Sequence, residues 1–184
     1  MKKNVDIFMA CTGSEVMKAT INELAAEQVV ESLYLLTSEP DVPDTCCPDK
    51  CKLLPTDSLT ATRLLRSISK KSTARYVVLF LRPVAFRLGY RCIERMIGVA
   101  EDTQASMVYA DRYEEKAGTV IPHPTIDYQP GSVRDDFDFG GLWLIRTEAL
   151  RQFIDNECSA RYRYAAPYAL RLFLSRKGRI FHLN

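Results

Sequence analysis

Val5-Asp6-Ile7-Phe8-Met9-Ala10-Cys11-Thr12-Gly13-Ser14-Glu15 is the stretch that decides the fold of this chain. The run from Val5 to Ala10, interrupted only by Asp6, reads as a strand buried on both faces. It passes through a short polar turn into a segment where Met17, Ile21, Leu24 and Ala25 recur at helical spacing. Thr12, followed three residues later by Glu15, offers a capping box for that helix. Strand, tight turn and helix form the opening unit of a parallel α/β sheet, because a parallel neighbour is reached only through a crossover.

Outward from this unit the pattern repeats. Ser32 to Leu36 predicts a second strand, and Glu39 to Lys52 is rich in turn residues. Asp57 or Ser58 then caps a helix carrying Ala61, Leu64, Leu65 and Ile68. Tyr76 to Leu81 reads as a strand, Arg91 to Ala100 as a helix with Cys92, Ile93, Met96, Ile97 and Ala100 inward, and Ser106 to Ala110 as another strand. Gly118 to Ser132, with Pro122, Pro124, Pro130 and Gly131, reads as a long irregular excursion before a strand at Leu142 to Ile145. A helix from Thr147, a helical stretch around Tyr168 to Arg176 ended by Gly178, and a strand from Arg179 to Leu183 complete the chain. The expectation is one domain over residues 1–184, an α/β three-layer sandwich around a mostly parallel sheet, without internal repeat or linker.

Composition narrows the function. A net charge of +2 on 184 residues gives no long-range field toward phosphate backbones or anionic bilayers, so electrostatic binding to nucleic acid or membrane is excluded as the main role. The N-terminus reads as a first strand rather than a secretory signal, and no apolar run approaches the ~20 residues of a membrane span. Six cysteines scattered through a chain of this size suit free thiols in a reducing cytoplasm.

The candidate chemistry lies at strand ends, since ligands of open α/β sheets bind beyond the carboxyl ends of the strands. Asp111 follows Met107-Val108-Tyr109-Ala110, where a carboxylate holds a divalent ion or a ribose hydroxyl, or else closes a turn with Arg112. Asp135, Asp136 and Asp138 are interleaved with Phe137 and Phe139; in an extended chain Asp136 and Asp138 share one face. One of them then serves as general base, or the pair is structural and accepts from the backbone amides of Gly140 and Gly141. Cys46-Cys47-Pro48-Asp49-Lys50-Cys51 lacks a second close pair for zinc and reads as a loop of thiols. His123, between two prolines, is a candidate substrate contact or a solvated loop histidine. The first turn carries neither the three-glycine dinucleotide fingerprint nor a P-loop lysine, although its amides at a helix start remain able to receive a diphosphate.

Taken in order, Val5 to Gln28, Thr56-Asp57-Ser58-Leu59-Thr60-Ala61-Thr62-Arg63, Tyr76 to Leu81, Met107 to Asp111, and Asp136-Phe137-Asp138-Phe139-Gly140 with a following Arg146 resemble a family-2 glycosyltransferase of the GT-A nucleotide-diphospho-sugar fold. More narrowly, the chain is similar to an N-terminal domain of Bacteroidetes proteins described as glycosyltransferases. The resemblance implies inverting transfer of a sugar from a nucleotide sugar to a hydroxyl acceptor. Asp136 or Asp138 would act as base, Thr12, Asp57 and Arg82 as nucleotide contacts, and Asp111 as ligand of a manganese or magnesium ion. It also implies a C-terminal remainder for the acceptor. Two departures stand out. Ala10-Cys11-Thr12-Gly13 keeps only the threonine of the family's first turn, and Arg82-Pro83-Val84 stands where the Asp-x-Asp metal pair belongs. Either other aspartates hold the ion, or Arg82 neutralises the diphosphate directly, or the domain is a noncatalytic interaction or regulatory module.

Overall fold

The computed structural model describes residues 4–12, 14–38, 49–131, 134, 136–156 and 161–184. The strands are β1 (Val5–Ala10), β2 (Val30–Thr37), β3 (Cys51–Pro55), β4 (Tyr76–Phe80), β5 (Met107–Ala110), β6 (Arg112–Lys116), β7 (Thr119–His123), β8 (Trp143–Arg146) and β9 (Ile180–Leu183). The helices are α1 (Glu15–Ala26), α2 (Thr62–Lys71), α3 (Cys92–Thr103), α4 (Thr147–Asn156) and α5 (Ala166–Lys177). Seven strands form one sheet in the order β3-β2-β1-β4-β8-β5-β9, and β6-β7 form a separate hairpin. Within the sheet only β8 runs antiparallel to its neighbours.

The side-chain period of two divides the core. Val5, Ile7 and Met9 of β1 join Met17, Ile21 and Leu24 of α1 and Ile93, Met96 and Ala100 of α3 on one face. Phe8 joins Leu64, Leu65 and Ile68 of α2, Leu150 and Phe153 of α4, and Leu170 and Leu174 of α5 on the other. Three layers result, as the sequence predicts, because strands apolar on both faces need helices on both. Asp6, the polar interruption of β1, is fully buried; its Oδ2 accepts from the Thr73 and Ala74 amides, 2.8 and 2.9 Å away, and so anchors the turn before β4.

The caps and two elements differ from expectation. No side chain caps α1 from Ser14 or α2 from Ala61; Thr12 instead points its hydroxyl at the Met17 sulfur, and Asp57 lies well before the first turn of α2. Gly178 follows α5 in an extended conformation (φ −158°) rather than a left-handed cap. β3 begins at the very end of the segment read as turns and runs past it, and the supposed irregular excursion begins in the β6-β7 hairpin. Its turn residues Ala117 and Gly118 both have positive φ (51° and 78°), the two-residue turn that matches strand twist. The Cys46 to Pro48 reading lies outside the described residues; Cys92 is a free thiol. Among the described residues no helix is long and apolar enough to cross a membrane.

Candidate functional site

Parallel strands deliver Thr12 after β1, Asp57 after β3, Arg82 after β4 and Asp111 after β5 to one edge of the sheet. From β1 to β5 is three strand spacings, roughly 14 Å at about 4.8 Å each, so these groups line a rim rather than a point. The reversed direction of β8 brings the preceding segment, with Asp136 and Asp138, to the same edge. It also carries Arg146, part of the family-like pattern, to the opposite edge. There it donates to the carbonyls of Ala105 (2.8 Å) and Ala100 and serves the fold.

Around Asp111 and Asp138 the rim is densely bonded. Asp111 Oδ1 accepts from the Thr125 amide at 2.7 Å and the Thr125 hydroxyl at 3.0 Å, and lies 2.8 Å from His182 Nε2. The other ring nitrogen of His182 is 2.8 Å from Asp127 Oδ1, and the ring stacks on Tyr109. Burial pushes the Asp111 carboxyl up, but the Thr125 and His182 hydrogen bonds outweigh it and hold it below the usual carboxylate range. Burial also raises the Tyr109 phenol to about 12; its hydroxyl stays protonated and donates to the Ile126 carbonyl at 2.6 Å.

The base of the hairpin positions Asp138. Arg112 and His123 are cross-strand partners, and both reach the same oxygen: Arg112 Nη1 at 2.8 Å and His123 Nε2 at 3.2 Å. The other oxygen accepts from the Gly140 amide at 2.8 Å. Burial raises the pKa of Asp138, and the bonds from Arg112 and Gly140 more than reverse this, so it too lies below the ordinary carboxylate range. Asp138 is therefore a weak base in this setting, with part of the structural role anticipated for the pair. Asp136 is exposed, and its carboxylate meets Arg134 at 3.2 Å. Phe137 and Phe139 turn the other way, with ring centroids 4.4 Å apart, and Phe139 packs edge-on to Tyr109.

The family resemblance places a cation beside Asp111. Asp111 Oδ1 already accepts from the Thr125 amide and hydroxyl and has His182 Nε2 at 2.8 Å, and among the described residues no three His, Cys, Asp or Glu side chains group to hold an ion. Arg82 is exposed at the end of β4, with no ion-pair partner among the described residues.

Asp57 opens a different feature. It pairs with Arg63 and lines a cavity of about 450 Å³ with Arg66, Arg161, Tyr162 and Arg163. Of the arginines, the sequence reading touched only Arg63, as the end of a family-like segment. Their grouping depends on the chain before α5 folding back onto α2. The Tyr162 carbonyl accepts from the Thr62 amide, and the Tyr162 amide donates to the Thr62 hydroxyl, both at 3.0 Å.

No family model matches the sequence, and no curated protein is similar enough to match. Solved structures do share its fold. The chain aligns over 98% of its length with 86% of a 4-diphosphocytidyl-2C-methyl-D-erythritol synthase from Anaerococcus prevotii, at a TM-score of 0.63 and 9% identity. It aligns over 100% of its length with 90% of a CMP:2-keto-3-deoxy-manno-octonic acid synthetase complexed with CTP, at 0.55 and 15%. It also aligns over 98% with residues 1–349 of TarS from S. aureus, at 0.63 and 11%, spanning 58% of that structure. At such identities the likeness establishes architecture: the chain has the α/β fold of these synthase and synthetase structures.

Proposed function

We propose that this domain binds a nucleotide-diphospho-sugar and transfers its sugar, with inversion, to a hydroxyl acceptor. The observation that carries the reading is the placement of Thr12, Asp57, Arg82 and Asp111 along the carboxyl edge of a sheet shared with cytidylyltransferase-type structures. In such a transfer the acceptor oxygen attacks the anomeric carbon while the bond to the diphosphate breaks. A base takes the acceptor proton, and cationic groups stabilise the leaving diphosphate. Asp136, exposed and paired with Arg134, is the base in this reading; Asp138, held by Arg112 and His123, fixes the segment that presents it. Arg82, exposed and without an ion-pair partner among the described residues, neutralises phosphate without an ion.

A thermal-shift screen against UDP, GDP and CMP, with manganese or with EDTA, tests the proposal. Stabilisation by one nucleotide that persists in EDTA is expected; strict dependence on manganese would return the ion to Asp111. If Asp136→Asn and Asp138→Asn each left transfer intact, the base assignment would be wrong. A second reading, a noncatalytic GT-A-like interaction or regulatory domain, is favoured by Arg82-Pro83-Val84 in place of an acidic pair. It predicts a shift with none of the three nucleotides.

A further inference from the structure

Asp136 sits in a turn that closes when the Phe137 amide donates to the Arg134 carbonyl at 3.3 Å. The chain just after Asp136 is fastened from two sides. On the hairpin side Arg112 meets the Asp138 carboxylate. On the helix side Arg171 of α5 donates through Nη1 to the Phe137 carbonyl at 3.1 Å. The guanidinium that makes this bond is itself set in place by rings. Its carbon lies 5.3 Å from the centroid of Phe139, 5.5 Å from that of Trp143 and 5.6 Å from that of Tyr168. Phe139 is buried, Trp143 begins β8, and Tyr168 stands three residues before Arg171, on the same face of α5. The helix below is anchored by buried Leu170, Phe173 and Leu174 and by the Ala166 amide, which donates to the Thr60 carbonyl at 3.0 Å. A flat cation among three rings has few orientations open to it, so α5 dictates where the Phe137 carbonyl, and with it the turn, comes to rest.

We infer that Arg171 is a positioning residue for Asp136, acting through the Phe137 carbonyl and not on the reacting atoms. A planar fork is what the place demands: it lies against aromatic faces while one N–H reaches the carbonyl, whereas a lysine ammonium is a strongly hydrated point charge on a flexible stem. The inference rests on the transferase reading for the duty of Asp136, and on geometry alone for the hold on the turn.

The test compares the whole chain as wild type, Arg171→Lys and Arg171→Met, by hydrogen exchange and by hydrolysis of UDP-glucose and GDP-mannose. In hydrolysis a water oxygen attacks the anomeric carbon, Asp136 takes its proton, and UDP or GDP departs with the bonding pair. Expected in both variants is exchange at least tenfold faster at the Phe137 and Gly140 amides, both of them hydrogen-bonded in the wild type, with the β1 amides unchanged. At the same time kcat should fall at least tenfold while KM stays within twofold, and lysine should not rescue it. Exchange that speeds up in β1 as well, with activity lost only in proportion to the folded protein, would mean a purely structural role and overturn the inference. Wild-type exchange at Phe137 and Gly140 in both variants overturns it too, as does a wild-type kcat in Arg171→Lys. Should Arg171→Met fail to fold, Arg171→Lys decides alone. A wild type that hydrolyses neither donor counts against the transferase reading instead, and the exchange result then decides the hold on the turn.

Discussion

Gly140→Ala measures how tightly the Asp138 segment is fastened over β5. Gly140 has φ +68°, and a Cβ there would stand 2.5 Å from the Ala110 carbonyl oxygen, a backbone atom that cannot rotate aside. Left-handed backbone costs an alanine about 1–2 kcal/mol. Restoring an ordinary carbon–oxygen approach of about 3.3 Å requires the segment to move by roughly 0.8 Å. That displacement loosens the Gly140–Asp138 hydrogen bond, worth about 1 kcal/mol, and the packing of buried Phe139 beside it. The total is roughly 3–4 kcal/mol. Gly118→Ala is the internal control: φ is +78°, but nothing lies within 4 Å of the added carbon, so only the backbone cost of about 1–2 kcal/mol applies. Urea unfolding of the two variants and the wild type, at equal m-values, should separate them by about 2 kcal/mol. Equal losses would mean that the segment does not rest on the end of β5 and that Asp138 is not positioned by it.

Other consequences can be checked with the same preparations. Phe139→Ala removes a fully buried ring packed on Tyr109 and Phe137 and should cost about 3–5 kcal/mol in urea unfolding; a cost under about 1 kcal/mol would mean that the aromatic cluster is not packed. The folded state lowers the pKa of Asp138, so its contribution to stability is complete above the unfolded value near 4 and disappears as pH falls through the lower folded value. The wild type should accordingly exceed Asp138→Asn in stability by a constant margin above about pH 5, and the margin should shrink below about pH 4; a margin independent of pH refutes the ion pair. Thr125→Val removes the hydroxyl that meets both Asp111 and His182, at a cost of about 1–3 kcal/mol. Hydrogen exchange over residues 124–129 should speed up, and unchanged exchange would show that this network does not hold the segment.

Much of the architecture was legible because burial on both faces leaves a strong mark. β1, β4 and β5 are apolar throughout, and α1, α2 and α3 repeat their inward residues at helical spacing. The elements that escaped notice are those without such a mark. β3 is an edge strand with exposed positions and a terminal proline, and β6-β7 is solvated along most of its length, so neither alternates clearly. Lys116-Ala117-Gly118-Thr119, with glycine in a two-residue turn, was the available hint of the hairpin.

The site divides in the same way. Because a residue after a buried parallel strand must emerge at the carboxyl edge, sequence alone determined that Thr12, Arg82 and Asp111 share a rim, and that no acidic pair ends β4. Only the tertiary structure decided the rest. Strand direction is invisible in a doubly buried run, yet the antiparallel course of β8 sends Asp138 to the rim and Arg146 away from it. Bonds from Thr125 to Asp111 and from Arg112 and Gly140 to Asp138, with His182 2.8 Å from Asp111, fix the positions of both carboxylates. The arginine cavity joins Thr62 and Tyr162 across 100 residues of chain, a contact fixed by packing between α2 and α5 that no local pattern encodes.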